Sequence, residues 1–96
     1  MPSLDQRPQR KRVPWRRLDT EGLVLDVKTG ILYPLNGVGT RIWELCDGDR
    51  SLADITEVLA AEFDADPATI LRDADEFLGQ LAAANLISFQ ARSPGG

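Results

Sequence analysis

GLVLDVKTGILYPLNGVGTRIWEL, residues 22–45, is the stretch that decides the fold, because a β-hairpin pattern passes through an asparagine directly into an amphipathic helix. Apolar residues alternate from Leu23 to Val27, a turn follows at residues 28–30, and the alternation resumes at Ile31. Gly30 suits the positive φ that such a turn requires. The side chains expected to face a helical layer are Leu23, Leu25 and Val27 on the first strand and Ile31, Tyr33 and Leu35 on the second.

Pro34 indicates which strand lies at the edge of the sheet. Proline has no N–H to donate to a neighbouring strand, so it occurs mainly in edge strands and at strand ends. We therefore expect residues 31–35 to form an edge strand. An edge exposes unpaired backbone groups, which a protein can either blunt or use to bind another strand. The sequence leaves both roles of Pro34 open.

Three helices are expected after the hairpin. Asn36 is a good N-cap for the first helix, and Gly48 is expected to end it. Ser51 can cap the second helix, and Asp66, followed by a proline, is a strong start for the third. Asn85 can take the left-handed conformation that ends the third helix.

A short strand is also expected near residues 13–18, so the sequence predicts an α+β fold with a three-stranded antiparallel sheet followed by three helices. Residues 1–12 are polar and basic, and we predict that they form a disordered N-terminal arm. The folded domain is expected over residues 13–88, and residues 89–96 are expected to be a flexible tail.

The composition argues against an enzyme. The 96 residues include no histidine, which removes the commonest general base and a common metal ligand, and Cys46 is the single cysteine. Cys46 falls on the apolar stripe of the first helix, where a buried core residue is expected. We therefore expect no catalytic residue, no metal and no cofactor. The sequence has neither a membrane-spanning run nor a secretory signal, so a cytoplasmic location is expected.

The charge is distributed unevenly along the chain. Residues 1–17 carry six basic side chains and one acidic one, a net charge of +5, whereas residues 18–96 carry five basic and fourteen acidic ones, a net charge of −9. The basic arm suits binding to nucleic acid or to an acidic partner, but it is also typical of a solubilising tail.

Four segments together resemble the PqqD family: LVLDVKTGILYPLN, GTRIWELCDG, SLADITEVLAAEFDADP and a long helix ending in NLI. The resemblance covers residues 13–88. It implies a small non-catalytic module with a winged-helix-like arrangement of a three-stranded sheet on three helices, known as a recognition element of ribosomally made peptide pathways. Such a module binds the leader segment of a precursor peptide and presents the peptide to a modifying enzyme, such as a radical SAM protein or a leader peptidase.

The resemblance also implies a binding site. The leader is expected to add as a strand to the edge of the third strand, which is formed by Ile31, Leu32, Tyr33, Pro34 and Leu35. Leu71, Asp75 and Leu78 are expected to supply the helical wall of the groove beside it. Helical spacing alone also allows Leu71 to be an ordinary core contact.

Two other functions are compatible with parts of the sequence. A winged-helix DNA-binding protein would use a basic helix, whereas Arg72 is the single basic residue expected on the third helix, beside Asp73, Asp75 and Glu76. A subunit that scaffolds an enzyme without binding a leader is the second alternative. The sequence does not identify the pathway, which could be quinone cofactor (PQQ) biosynthesis, lasso peptide formation or another peptide modification. A monomer or weak homodimer is expected.

Overall fold

A computed structural model describes residues 6–90 of the chain. Five strands and three helices form in the order β1, β2, β3, β4, α1, α2, α3, β5. The strands are β1 (Arg7–Arg10), β2 (Trp15–Leu18), β3 (Glu21–Asp26), β4 (Ile31–Leu35) and β5 (Ile87–Gln90). The helices are α1 (Gly37–Leu45), α2 (Leu52–Phe63) and α3 (Pro67–Ala83).

The central sheet is antiparallel and has the strand order β2-β3-β4. Val24 of β3 lies opposite Trp15 on β2 and opposite Tyr33 on β4. Gly30 closes the β3–β4 turn with a φ of 73°, and its N–H donates to the carbonyl of Asp26 at 2.7 Å. The predicted three-stranded sheet followed by three helices is confirmed.

The prediction of which face of β3 meets the helices was wrong. Val24 is fully buried on the helical side, where Gly22 also lies against Thr40. Leu23 and Leu25 therefore point to the opposite, outer side, since side chains alternate along a strand. The pattern misled because both faces of β3 carry apolar residues, and a glycine occupies the inner position at its start.

The returning strand follows the predicted face more closely. Leu35 is only 5% exposed and Tyr33 packs against the core, whereas Ile31 shares their face by register but is 49% exposed. Val27 lies beyond the end of β3 and is exposed.

The predicted helix starts are confirmed by their caps. The side chain of Asn36 accepts a hydrogen bond from Gly39 N at 2.7 Å, and that of Asp66 accepts one from Thr69 N at 3.3 Å. Ser51 and Asp54 exchange the two bonds of a capping box. The left-handed conformation of Asn85 is also present, at a φ of 62°.

The predicted end of α1 was late by one residue, since the residue after the C-cap is Asp47 and not Gly48. The helix ends at Leu45, and Cys46 N–H folds back to the carbonyl of Trp43 at 3.2 Å, ahead of Gly48. Arg10 completes this end, because its Nη1 donates to the carbonyls of Trp43 at 3.1 Å and Glu44 at 2.8 Å. A cation at the carboxyl end of a helix also complements the helix dipole.

The predicted disorder of residues 1–12 was wrong for the part of the arm that the structure describes. Residues 7–10 form β1, which pairs antiparallel with β5, and Pro8 is almost completely buried. The guanidinium of Arg10 also lies 5.6 Å from the centre of the Trp15 ring. The first two residues of the predicted tail, 89–90, belong to β5, while residues 1–5 and 91–96 lie outside the described residues.

The core lies between the inner face of the central sheet and the helices. Its fully buried members include Val24, Trp43, Ile55, Leu59 and Leu78. Cys46 is buried among them, as predicted, and burial raises the pKa of its thiol to about 12. Within residues 6–90 no helix is both long and apolar enough to cross a bilayer.

Candidate functional site

The β4 side of the central sheet is open. In the part of the chain that the structure describes, β4 pairs with β3 and with no strand on its other side. Leu32, Pro34 and Ile31 are all exposed along this edge. The predicted edge position of residues 31–35 is therefore confirmed, and the polar groups of one side of β4 are available to another chain.

The hydrogen-bond pattern identifies which backbone groups of β4 face that open side. Leu25 N–H donates to the carbonyl of Pro14 at 2.9 Å, so the backbone groups of Leu25 point towards β2. The backbone N–H and carbonyl groups of the residues next to Leu25 on β3 then point towards β4, because the direction of these groups alternates along a strand. Val24 lies opposite Tyr33, so the backbone groups of Tyr33 bond to β3. The backbone groups of Leu32 and Pro34 therefore point away from β3, towards the open side of the sheet.

The open edge therefore has a defined polar pattern. Leu32 offers both an N–H and a carbonyl, whereas Pro34 offers a carbonyl alone. The backbone N–H that proline lacks would have pointed away from β3, so the β3–β4 pairing loses no hydrogen bond. Pro34 thus leaves the sheet intact and makes this end of the edge an acceptor.

A cavity of about 280 Å³ lies beside the junction between β4 and α1. Its lining residues are Asn36, Val38, Gly39, Ile70, Asp73 and Phe77. Gly39 allows α3 to come close, since a Cβ at this position would lie 3.3 Å from Cζ of Phe77. The lining combines the apolar side chains of Val38, Ile70 and Phe77 with the polar side chains of Asn36 and Asp73.

The structure does not bring the three predicted wall residues of α3 to this cavity. Leu78 is fully buried in the core, so a peptide on the surface has no access to it. Leu71 packs partly against the core, and Oδ1 of Asp75 is buried without a hydrogen-bond donor among residues 6–90. At 100° per residue, Leu71 and Asp75 fall on one flank of the buried stripe, and Asp73 and Phe77 on the other.

Phe77 and Asp73 line this cavity, and neither was among the predicted wall residues. Together with Ile70 they have the spacing of three and four residues that places side chains on one side of a helix. That signal was present in the sequence, but nothing local indicated which flank of α3 approaches the start of α1.

Three of the basic residues near the N-terminus make contacts within the fold. Arg10 caps α1, the side chain of Lys11 donates to Oδ1 of Asn85, and Arg17 pairs with Glu44 at 2.7 Å. On α1, Arg41 pairs with Glu62 of α2 at 2.8 Å. The contacts of Arg10 and Lys11 tie the described part of the arm to the helical end of the domain.

The sequence from β3 to the start of β5 matches a known family. The family model described as "Coenzyme PQQ synthesis protein D (PqqD)" matches residues 21–87. The chain belongs to the PqqD family. This match confirms the resemblance seen in the sequence. No functionally curated protein matches the chain.

Two solved structures resemble this PqqD family member along most of its length. The structure of TbiB1 in complex with the TbiA(beta) leader peptide superposes with a TM-score of 0.76 at 30% sequence identity, covering 88% of this chain and 99% of TbiB1. The solution NMR structure of the PqqD part of Methylobacterium extorquens PqqCD superposes with a TM-score of 0.70 at 25% identity, covering 84% of this chain and 87% of that one. That protein is described as a functional, stand-alone recognition element for ribosomally synthesised and post-translationally modified peptides.

Proposed function

We propose that this PqqD family member is a non-catalytic chaperone that binds the leader segment of a ribosomally made precursor peptide and presents the peptide to a modifying enzyme. The leader adds as a strand to the open edge of β4. The observation that carries this proposal is the outward pair of polar groups on Leu32 at an edge that no described strand covers.

Strand addition suits a peptide ligand because backbone hydrogen bonds attract many sequences, while side-chain pockets select among them. A leader strand along β4 exchanges two hydrogen bonds with Leu32 and donates one to the carbonyl of Pro34. The proline thereby affects the register, since a leader carbonyl placed opposite it finds no donor. The structure of the similar TbiB1 in complex with a leader peptide supports a leader as the ligand.

The cavity beside the β4–α1 junction supplies side-chain selectivity. An apolar leader residue can pack on Phe77 and Ile70, and a basic neighbour can approach the carboxylate of Asp73. A flexible peptide loses conformational entropy on binding, so a few buried anchors carry much of its affinity.

DNA binding has less support. The third helix of a winged-helix protein reads the duplex through basic and polar side chains, but α3 carries Arg72 as its only basic residue. The arm that would grip phosphate contains Arg10, whose guanidinium already contacts two carbonyls of α1.

Titration of a synthetic leader peptide into the ¹⁵N-labelled chain tests the proposal. The largest amide shifts are expected at Leu32, at the neighbouring residues of β4 and around Phe77. Shifts confined to residues far from β4 and α3, or tight and steeply salt-dependent binding to duplex DNA without leader affinity, would show the proposal to be wrong.

Phe77→Ala and Leu71→Ala form a matched pair on the two flanks of α3. We expect Phe77→Ala to weaken leader binding about tenfold, the effect of losing a typical buried anchor, and Leu71→Ala to weaken it less than threefold. Isothermal titration calorimetry on both variants, after circular dichroism has shown that they are folded, checks the difference. If Leu71→Ala weakened leader binding more than Phe77→Ala, the result would support the helical wall that was predicted from the sequence.

A further inference from the structure

The outer face of the central sheet is an apolar surface that the helices leave uncovered. By register it carries Arg16, Leu18, Glu21, Leu23, Leu25, Leu32 and Pro34. Leu18 is 45% exposed and Leu32 is 57% exposed. A contiguous patch of this kind is typical of a protein interaction site.

A groove of about 210 Å³ crosses this face. Its lining residues are Pro14, Trp15, Arg16, Leu23, Leu25 and Leu32. All of them except Arg16 are apolar, so the groove accepts a hydrophobic side chain beside one fixed charge. The groove spans all three strands of the sheet, β2, β3 and β4. It is separate from the cavity at the start of α1.

The charge at the groove is positive and unneutralised. Arg16 forms no ion pair with any residue from 6 to 90, in contrast to its neighbour Arg17, which pairs with Glu44 on the inner side. Glu21 is the acidic residue of the outer face, and it lies opposite Leu18, away from the groove lining.

We infer that the outer face of the sheet, centred on the groove beside Arg16, docks the modifying enzyme through a hydrophobic side chain flanked by a carboxylate. This inference rests on the proposed function and names the surface by which the peptide is presented. Opposite charges at the rim of an apolar contact set orientation and association rate, while the buried apolar anchor supplies affinity.

The position of the groove couples enzyme docking to the leader. Leu32 contributes its outward backbone groups to the open edge and its side chain to the groove. A strand added to β4 extends the same outer face, because its alternate side chains fall next to Leu32. The enzyme therefore contacts the chain and the leader together, and leader binding raises its affinity. Linkage requires that the enzyme raise the affinity for the leader by the same factor.

The test uses the full chain, the synthetic leader and the purified enzyme that modifies the same precursor. Arg16→Glu reverses the charge in the groove, and Arg72→Glu makes the same change on the exposed side of α3 as a matched control. We expect Arg16→Glu to weaken enzyme binding at least tenfold, with leader affinity within twofold of wild type, and Arg72→Glu to change neither. Arg16→Gln should flatten the salt dependence of enzyme binding.

The outcomes separate this inference from the proposed function. If the wild-type chain does not bind the leader, the proposed function fails. If the leader binds but Arg16→Glu and Arg72→Glu recruit the enzyme equally, the docking surface is wrong and the leader site stands. If sedimentation shows that Arg16→Glu dissociates a self-association without changing enzyme binding, a second copy occupies this face and the inference is likewise overturned.

Discussion

Leu32→Pro is expected to weaken leader binding about tenfold or more while the chain remains folded. The substitution removes the outward N–H of β4, and the proline ring obstructs the approach of another strand. One hydrogen bond contributes roughly 0.5–1.5 kcal/mol, so loss of the donor and obstruction by the ring together account for the size of the effect. The β3–β4 pairing keeps its own bonds, because they belong to the alternate residues. Calorimetric titration of the leader into wild type and variant measures the change.

Two neighbouring substitutions distinguish the backbone from the side chain. Leu32→Ala keeps the N–H, and we expect it to leave leader affinity within about threefold of wild type. Tyr33→Pro removes an N–H that faces β3, and it is expected to destabilise the sheet itself, which thermal unfolding followed by circular dichroism would show. If Leu32→Pro binds the leader as well as Leu32→Ala does, strand addition at this edge is refuted.

The local signals in the sequence were sufficient for most of the elements. Asn36, Ser51 and Asp66 each carry a cap whose bonds are made within three residues, so the helix starts follow from neighbouring residues alone. The turn at Gly30 is equally local. These features are predictable because the interactions that stabilise them join residues close together in the chain.

The predicted disorder of the N-terminal arm was wrong because the arm is ordered by contacts with distant parts of the chain. The pairing of Arg10 with Ile87 joins the two ends of the domain, and no pattern within residues 7–10 indicates a partner. The same holds for the flank of α3 that meets the cavity, since the approach of Phe77 to Gly39 depends on how two helices pack. Pro34 is an intermediate case. The sequence predicted the edge, but the direction of its missing donor required the register of all three strands.

Removal of β1 is expected to lower the free energy of unfolding substantially, because residues 6–10 form hydrogen bonds with three separate parts of the fold. The carbonyls of Gln6 and Pro8 accept bonds from Leu52 N at 3.1 Å and Gly48 N at 2.9 Å, and Arg10 N donates to the carbonyl of Cys46 at 3.0 Å. The Arg10 side chain adds two further bonds to the end of α1. At roughly 1 kcal/mol for each bond, together with the exposure of buried Pro8 and of Ile87, a chain that begins at Lys11 is expected to lose at least about 3 kcal/mol of unfolding free energy.

Urea denaturation of three chains measures this loss: the full chain, a chain that begins at Gln6 and a chain that begins at Lys11. The chain that begins at Gln6 keeps β1 and Arg10, so we expect it to retain most of the stability of the full chain. Arg10→Ala in the full chain isolates the cap on α1, and we expect it to cost about 1–3 kcal/mol, because a bond from a charged donor to a carbonyl contributes more than a neutral one. Equal stability of all three chains would contradict β1 and support the disordered arm that the composition suggested. A loss confined to the chain that begins at Lys11 would show that residues 6–10 hold the two ends of the domain together.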